Sequence, residues 1–556
     1  MKNSGDGPLA RLGARLRKRG PARGAAPATP AERLPRARHV CPIRHDSRIV
    51  IVGGGPAGIH MASRLSRGGF RRVTVLERRP DDGTFGKTHT FFHEETKDVP
   101  HEMGTCYLSA SYKHIRSLLS EYVGDDATIE PGGGRDGPFG EIHLPAPRLN
   151  AEKAYETTTS DEWLYAHREK VFLSEKLWAI APDKLQAVGF LLDVKKYRDL
   201  HKSLLGTYDY HGLPPQPGPG SLARLDMTFR ELLVANRLEA LLDLCCIGFG
   251  SYGLGYDVPA LYGLWFVTPE AVESYVASKL DPSVKTVELV RNGYNGLWRA
   301  MIARDDIEVR HCVSIAGIDR NLDDLDEPIV IEANVDGHSE RIECDFLIFA
   351  APLATEFLKT VADPTPFEIE MVGGLTSAGL VTTLFRTANK GVVATETARD
   401  AQEQALTFYP ESLQPAYTPQ PDGEVYAERN SVRSYRWDTD SAYESRYSVA
   451  YQYVPTPRPD SDMPRLTAAA VAFITSPETA VTPTPTHPEP EVLYQKNWDY
   501  FPHFTQDAIK ALVPWRVLEH QGRWRTWYIG SSVSFESVED VTKYNLLVLR
   551  MNGVEA

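Results

Sequence analysis

The sequence predicts an α/β fold in which a Rossmann-like domain is interleaved with an antiparallel β domain and a helical cap. Three stretches lead to this prediction. They are a strand, glycine turn, helix and strand over residues 48–78, a helix and strands over 287–350, and a strand and helix over 526–549. Because parts of one domain lie far apart in the chain, we expect other segments to be inserted between them.

The first stretch carries the strongest pattern. Ile49–Val52 is a short apolar run, typical of a strand buried in a parallel sheet. A G-x-G-x-x-G motif follows, and a second strand, Val73–Leu76, ends in Glu77, 19 residues after the motif's last glycine. The residues of the motif are Gly53, Gly55, Pro56, Ala57 and Gly58.

Each residue type in this pattern has a physical role. The glycines allow a tight turn, a close approach of backbone to a pyrophosphate, and close packing of helix on strand. The start of the helix attracts phosphate charge. Glu77 is expected to accept hydrogen bonds from ribose hydroxyls. The pattern predicts a bound dinucleotide, and it fits NAD and FAD equally well.

The composition limits the number of domains and the class of protein. With 556 residues, two or three interleaved domains are expected, and 42% apolar and 24% charged residues are ordinary for a globular protein. The six cysteines form no C-x-x-C or zinc-like spacing, which favours a reduced, cytoplasmic protein. The sequence contains no apolar run of membrane-spanning length.

Charge is unevenly distributed. Residues 1–45 carry a net charge of +9 and the rest of the chain −22, which argues against nucleic acid as the main partner. We interpret residues 1–46 as a disordered basic tail. Its Leu9, Leu12 and Leu16 give an alternative, a short basic helix in weak contact with a membrane surface. A transit peptide is a third interpretation.

The segment after Glu77, residues 78–90, resembles the E-R-x-x-x-x-G-G-[RK] motif of amine-oxidase-type flavoproteins. It has two additional residues, and Phe85-Gly86 stands in place of Gly-Gly. In that family the motif approaches the diphosphate and the flavin, so the resemblance implies FAD, with Arg78 and Lys87 among the binding residues. It also implies that His89 lies near the flavin, while a structural histidine is the alternative.

Further segments resemble one branch of these flavoproteins, the FAD-dependent polyunsaturated fatty acid isomerases that make conjugated linoleic acid. The resemblance covers most of residues 47–556. The segments that carry it are GKTHT (86–90), HEMG (101–104), the glycine and aromatic stretch 246–256, WDYFPHF (498–504) and YIGS with SF (528–531 and 534–535).

The resemblance also implies further site residues. The backbone of Val313 would meet the adenine, and Gly530 and Ser531 would approach the flavin. The final helix, which includes Val538, would point its N-terminus at the flavin pyrimidine. Family members carry an acid where Ser531 stands, so the resemblance implies weaker FAD binding here.

Two candidates for substrate contacts remain open. Tyr275 aligns with a family phenylalanine at the substrate tunnel, with a core tyrosine as the alternative. Arg135 is a candidate for binding a carboxylate, and an exposed loop arginine is the alternative interpretation.

The domain prediction follows from these elements. Residues 47–119, 285–352 and 506–556 form the FAD-binding domain of the amine-oxidase type. Residues 120–284 form a helical cap, and 353–505 an antiparallel β substrate domain. Within the last we expect strands at Leu380–Phe385, Tyr447–Tyr453 and Leu466–Ile474.

The chemistry implied by the resemblance is hydride movement at the flavin on an unsaturated apolar substrate, most simply double-bond isomerisation of a polyunsaturated fatty acid. Such a cycle needs neither a general base nor a metal, and the sequence shows no nucleophile motif or metal-ligand set. The alternatives are an amine-oxidase-like oxidase or desaturase, and a scaffold that keeps the fold without turnover.

Overall fold

The computed structural model describes residues 43–94, 100–129, 184–238, 241, 258–280, 287–388, 431–434, 445–454, 456–468 and 491–554. The strands of these residues are β1 (Ile49–Val52), β2 (Val73–Leu76), β3 (Thr84–Phe85), β4 (Thr88–Phe91), β5 (His101–Glu102), β6 (Tyr107–Ser109), β7 (Thr128–Ile129), β8 (Val287–Val290), β9 (Glu308–Arg310), β10 (Val313–Asp319), β11 (Ile329–Val335), β12 (His338–Cys344), β13 (Phe346–Phe349), β14 (Leu375–Ala388), β15 (Ser431–Ser434), β16 (Ser445–Val454), β17 (Glu491–Phe504) and β18 (Thr526–Tyr528).

The helices are α1 (Pro56–Arg67), α2 (Lys113–Tyr122), α3 (Lys184–Leu205), α4 (Pro219–Arg224), α5 (Phe229–Ala235), α6 (Ala260–Phe266), α7 (Pro269–Leu280), α8 (Tyr294–Arg304), α9 (Pro366–Gly373), α10 (Gln506–Lys510), α11 (Val513–His520) and α12 (Val538–Met551). Shorter helical turns lie at Leu353–Phe357, Leu358–Thr360, Asp460–Asp462 and Arg523–Arg525. None of the described helices combines the length and the apolarity needed to cross a bilayer.

A parallel sheet of five strands forms the centre, in the order β18-β13-β1-β2-β9. Two of its three inner strands, β1 and β13, are buried at every position. Strands buried on both faces of a parallel sheet are continuously apolar, as these sequences are. The sheet draws its strands from the three stretches that the sequence singled out, so the predicted interleaving is confirmed.

Helix α1 packs on this sheet. Its apolar face, which includes Ile59, Ala62 and Leu65, is buried in the main core. Helix α12 lies beside α1, and the side-chain amide of Asn545 donates a hydrogen bond to the Ala57 carbonyl at 2.7 Å. The start of α1 is therefore held by an element from the far end of the chain.

Within the predicted helix and strands of 287–350, the continuous stretch 338–349 forms two strands, β12 and β13. β12 belongs to an antiparallel sheet with β10 and β11, whereas β13 lies in the parallel sheet. The chain changes sheet at Asp345, whose carboxylate accepts hydrogen bonds from the Arg48 amide and guanidinium, both at 2.7 Å. This contact with a residue about three hundred positions away in the chain cannot be inferred from local sequence.

A second antiparallel sheet has the order β15-β16-β14-β17. The predicted strands Leu380–Phe385 and Tyr447–Tyr453 lie within β14 and β16. The prediction of a strand starting at Leu466 is wrong, because residues 463–468 are helical. Leu466 packs with Met463 against Val381 of β14, so a helical turn covers the sheet at this point. Residues 469–474 lie outside the described residues.

Helices α3 to α7 occupy the region predicted as a helical cap. Helix α5 begins with a capping box between Thr228 and Glu231, and it buries Phe229, Leu232 and Leu233. The boundaries given above for the domains stay a prediction.

Candidate dinucleotide-binding site

The glycine turn, Gly53 to Gly58, joins β1 to α1 and leaves no room for a side chain at Gly53 or Gly58. A Cβ atom added to Gly58 would lie 2.0 Å from the Gly53 carbonyl oxygen. Gly53 has a φ of +112°, and a Cβ there would lie 2.9 Å from the Ala351 amide nitrogen. Both positions require glycine, as the motif predicts.

The N-terminus of α1 is open to an anion. Its N-cap residue, Gly55, offers no side-chain hydrogen bond, Pro56 occupies the first turn, and that turn contains no acidic residue. The first amides of a helix have no partner within the helix, and the dipole there is positive. The Ala57 and Gly58 amides are therefore suited to a phosphate.

Glu77 lies at the end of β2 beside this turn, and it is buried. Its carboxylate accepts hydrogen bonds from the Gly54 amide at 2.7 Å and the Arg79 amide at 3.0 Å. Each carboxylate oxygen can accept a second bond, so the predicted contact with ribose hydroxyls remains open to it. The Val313 amide donates to the Glu77 carbonyl at 2.9 Å, so β10 begins beside the end of β2, and the contact of the Val313 backbone with an adenine stays a prediction.

The hairpin of β3 and β4 brings Gly86 against the glycine turn. A Cβ on Gly55 would lie 3.2 Å from the Gly86 Cα, so the two backbones are in contact. Arg79 donates to the Gly86 carbonyl at 2.6 Å and holds the hairpin in place. Phe85, the departure from the family motif, is buried in the main core and anchors the hairpin.

Lys87 is fixed on both its backbone and its side chain. Its carbonyl accepts a hydrogen bond from the Thr105 amide at 3.1 Å, and a Cβ on Gly104 would lie 2.0 Å from that oxygen. Its ammonium group forms an ion pair with Glu536 at 2.9 Å. The lysine predicted from the motif therefore has a partner that the motif does not contain.

His89 is buried next to this hairpin. Its Nδ1 is hydrogen-bonded to the Thr84 hydroxyl at 2.7 Å, and its ring stacks on Tyr494 at 5.3 Å. Its Nε2 is buried and has no hydrogen-bond partner within the described part of the chain. Burial and, secondarily, the charge of Lys496 lower the pKa of His89 to about 4, so the imidazole is neutral at physiological pH.

An NMR titration of ring-labelled histidines should show the lowered pKa of His89. We expect the His89 signal to titrate near pH 4, whereas His211 should titrate above its ordinary pKa. Burial disfavours the charged form of His211, but Asp540 at 3.3 Å more than offsets that effect and raises the pKa. The variants His89→Gln and His211→Gln assign the signals, and a His89 signal that titrates at 6 or above would contradict the buried neutral ring.

The low pKa of His89 also sets the sign of a stability effect. Between the unfolded value of about 6.5 and the folded value of about 4, only the unfolded chain binds the proton. The contribution of His89 to folding is therefore fully present above pH 6.5 and falls as the pH drops through this window.

The closing segment, residues 526–538, reaches the glycine turn from the other side. Gly530 has a φ of +91°, and a Cβ there would lie 3.2 Å from the Ala350 carbonyl oxygen and 3.7 Å from the Ala57 Cβ. Ser531 follows it, and Val538 opens α12. The predicted residues Gly530, Ser531 and Val538 thus belong to a segment that starts beside the N-terminus of α1.

The N-terminus of α12 differs from that of α1. Ser537 caps it by accepting from the Asp540 amide, and its first turn contains the buried acids Glu539 and Asp540. Glu539 accepts from the His114 and Ile115 amides at 2.9 and 2.8 Å, which caps α2. The helix end that the resemblance places at the flavin pyrimidine therefore carries two carboxylates in its first turn.

Asp540 joins α12 to the helical cap. It accepts hydrogen bonds from the Trp265 indole at 2.9 Å and the Gly212 amide at 2.8 Å. His211, bonded to Asp540, also contacts the Ser111 hydroxyl at 3.1 Å. These contacts fix the start of α12 against both the cap and α2.

Not every predicted residue joins the site. The Arg78 side chain is 63% exposed and pairs with Glu356 at 3.3 Å, so it points away from the glycine turn. Tyr275 falls in α7, and its side chain lies outside the described residues, as does Arg135. Sequence reasoning missed Arg79, Gly104 and Glu536. Arg79 adjoins the predicted Arg78, and Gly104 lies in the HEMG segment, whereas no local pattern marks Glu536.

Comparisons with known proteins agree with this architecture. The family model for an NAD(P)-binding Rossmann-like domain matches residues 51–122. No curated protein matches the chain.

Solved structures cover nearly the whole fold. A CLA-producing fatty acid isomerase from P. acnes is 21% identical, with a TM-score of 0.63 over 91% of this chain and 99% of that one. Putrescine oxidase bound to putrescine is 16% identical (TM-score 0.55, 91% and 98% covered), and cyclohexylamine oxidase from Brevibacterium oxydans IH-35A is 12% identical (0.54, 91% and 99%). These identities show a shared fold, and the predicted fold class is confirmed.

Proposed function

We propose that the chain binds FAD and is a flavin-dependent enzyme that moves a hydride on an unsaturated apolar substrate, most specifically in double-bond isomerisation of a polyunsaturated fatty acid. The fit of the site to a dinucleotide supports the cofactor. The glycine turn excludes a Cβ at Gly53 and Gly58, the N-terminus of α1 is uncapped, and Glu77 has acceptor capacity left. The neutral His89 has a buried Nε2 that finds no partner among the described residues.

Different residues of the site would bind different parts of the cofactor. The Ala57 and Gly58 amides would hold the diphosphate, Glu77 the adenosine ribose, and the Val313 carbonyl the adenine. Lys87, His89, Gly530, Ser531 and Val538 would surround the flavin half. Bound flavin supplies a group that accepts a hydride from a doubly allylic carbon and returns it to another carbon, which leaves the double bonds conjugated without net oxidation.

An aromatic cluster beside the closing segment supports an apolar substrate. Tyr262 of α6 lies 5.8 Å from Phe501 and 5.5 Å from His503 of β17. Phe501 lies 5.2 Å from Phe535, and Phe266 stacks on Phe535 at 5.0 Å. Burial lowers the pKa of His503, so this ring is also neutral. Tyr262, Phe501 and Phe535 are buried in the main core, so a substrate bound next to Phe535 would meet apolar rings.

Isomerisation is favoured because the sequence segments and the fold both resemble those of a fatty acid isomerase. The segments that resemble fatty acid isomerases lie along the whole chain, and the isomerase structure superposes with a higher TM-score than the two amine oxidases do. The amine oxidases, which cover the chain equally well, support the second candidate, an oxidase or desaturase.

Anaerobic incubation of the FAD-loaded protein with linoleic acid tests the proposal. We expect the conjugated-diene band to grow while the flavin absorbance stays that of the oxidised form. Stearic acid is the matched control, because it has the same carboxylate and chain length but no doubly allylic carbon. Putrescine and cyclohexylamine test the second candidate.

The other outcomes separate the alternatives. Flavin bleaching that reverses only in air identifies an oxidase or desaturase. If every substrate leaves both bands unchanged in a protein that holds FAD, the isomerase proposal fails and a scaffold is favoured. A colourless protein that takes up no FAD contradicts the cofactor assignment.

A further inference from the structure

The ion pair of Lys87 and Glu536 joins residues 449 positions apart in the chain. The two side chains are 20% and 6% exposed. Lys87 follows Gly86, which touches the glycine turn, and Glu536 belongs to the closing segment, which touches the turn at Gly530. The pair therefore connects the two segments that border the candidate flavin half of the site.

Glu536 also lies near Ser531, whose hydroxyl acts to lower the pKa of the Glu536 carboxyl. Ser531 is the position where the family resemblance implies an acid, and its replacement by serine implied weaker FAD binding. The structure brings a carboxylate to that serine from five residues further along the chain. Glu536 is therefore a carboxylate of the same segment that could take the place of the acid missing from the motif.

Stability alone does not explain the pair. Burial raises the pKa of Glu536, Lys87 opposes this, and the nearby Asp499 adds to it. A buried ion pair is often no more stabilising than apolar side chains of the same size. A buried carboxyl group that pairs with Lys87 and has Asp499 nearby is better suited to binding hydrogen-bond donors than to packing.

We propose that Glu536 binds the flavin half of FAD, as acceptor for hydroxyl or N–H donors of that half, and that Lys87 is the positioning residue that holds Glu536 in place. This inference rests on the proposed FAD binding. Glu536 would take the hydrogen-bond acceptor role that family members give to the acid at the position of Ser531. Lys87 would act on the flavin only indirectly, by positioning Glu536.

Titration of the apoprotein with FAD and with ADP tests this. ADP contains the adenosine half and lacks the flavin half. For Glu536→Gln we expect the Kd for FAD to rise about 10- to 100-fold, which is the effect of losing a hydrogen bond to a charged group. The Kd for ADP should stay within about twofold. Glu77→Gln is the matched control, because the same change at the ribose end should weaken both ligands.

Variants of Lys87 test its positioning role. Lys87→Met should weaken FAD binding as Glu536→Gln does, and Lys87→Arg should restore most of the affinity, because the positive charge is kept. A thermal melt of each apoprotein shows whether it is folded. A purely structural ion pair would lower the melting temperature and weaken FAD and ADP binding alike.

The outcomes are distinguishable from those of the proposed function. If wild-type protein binds FAD and Glu536→Gln binds it equally well, this inference is overturned and the FAD assignment stands. If Glu536→Gln weakens FAD and ADP in parallel, the inference is overturned as well. If wild-type protein binds ADP but shows no preference for FAD, the cofactor assignment fails, and this inference fails with it.

Discussion

Replacing Gly58 by alanine should lower the free energy of unfolding by about 3 to 5 kcal/mol, in the range of the most severe single substitutions, and should abolish retention of FAD. The added Cβ would lie 2.0 Å from the Gly53 carbonyl oxygen, an atom of the backbone that cannot rotate away. Relief requires α1 to move off β1. That movement displaces the amides that would hold the diphosphate.

Chemical denaturation and the flavin absorbance of the purified protein measure the two effects. Gly296→Ala is the matched control, because Gly296 also lies inside a helix, α8, and a Cβ there meets nothing within 4 Å. In a helix interior this change is expected to stabilise by about 0.5 to 1 kcal/mol. A Gly58→Ala protein with wild-type stability and bound FAD would contradict the geometry of the turn.

The second large effect is expected at Glu368 of α9, which is fully buried with Arg320. The two form a bidentate pair at 2.5 and 2.8 Å, and the Tyr528 hydroxyl of β18 also donates to Glu368. Glu368→Gln leaves the buried guanidinium with the partly exposed Asp363 as its remaining acid partner. Because breaking a buried pair leaves an uncompensated charge, we expect a loss of about 3 kcal/mol.

Glu370→Gln is the control for this change. Glu370 lies in the same helix and pairs with Arg516 at the surface, where such pairs contribute about 0 to 1 kcal/mol. If Glu368→Gln and Glu370→Gln lowered the free energy of unfolding equally, the larger contribution of the buried ion pair would be contradicted.

The pH dependence of unfolding gives an independent test of Glu368. Burial acts to raise the pKa of Glu368, but Arg320, Tyr528 and the Thr365 amide outweigh it, so that the pKa lies below its ordinary value. The group therefore stabilises the fold above its unfolded pKa of about 4.3, and this contribution is lost as the pH falls through the lower folded value. Glu368→Gln should flatten the acid limb of the stability curve.

The sequence predicts well what depends on neighbours along the chain. The strand, turn and helix from Ile49 to Arg67 agree with the structure because turn geometry and helix start are encoded within a few residues. Glu77 lies beside the turn as expected, since parallel strands present their carboxyl ends at one edge. The cap of α12 at Ser537 is also a local signal.

What the sequence could not predict depends on distant partners. The break at Asp345 is set by Arg48, and the helical turn at Leu466 by the sheet surface that it covers. Arg78 and Arg79 are adjacent and chemically alike, and only the fold decides that Arg79 contacts Gly86 while Arg78 turns towards Glu356. Glu536 has no signal in the sequence because its partner Lys87 belongs to another part of the fold.

The order of the central sheet also bears on how the protein is made. Strand β18 completes one edge of the sheet by pairing with β13, and its residues follow the glycine turn by about 470 positions. At about 5 to 20 residues per second, a ribosome needs roughly half a minute to a minute and a half to cover that distance. During this time β13 emerges without its outer neighbour and α1 without α12 beside it. These apolar surfaces therefore stay uncovered for part of the synthesis, and the candidate site is completed only when its closing segment, residues 526–538, has left the ribosome.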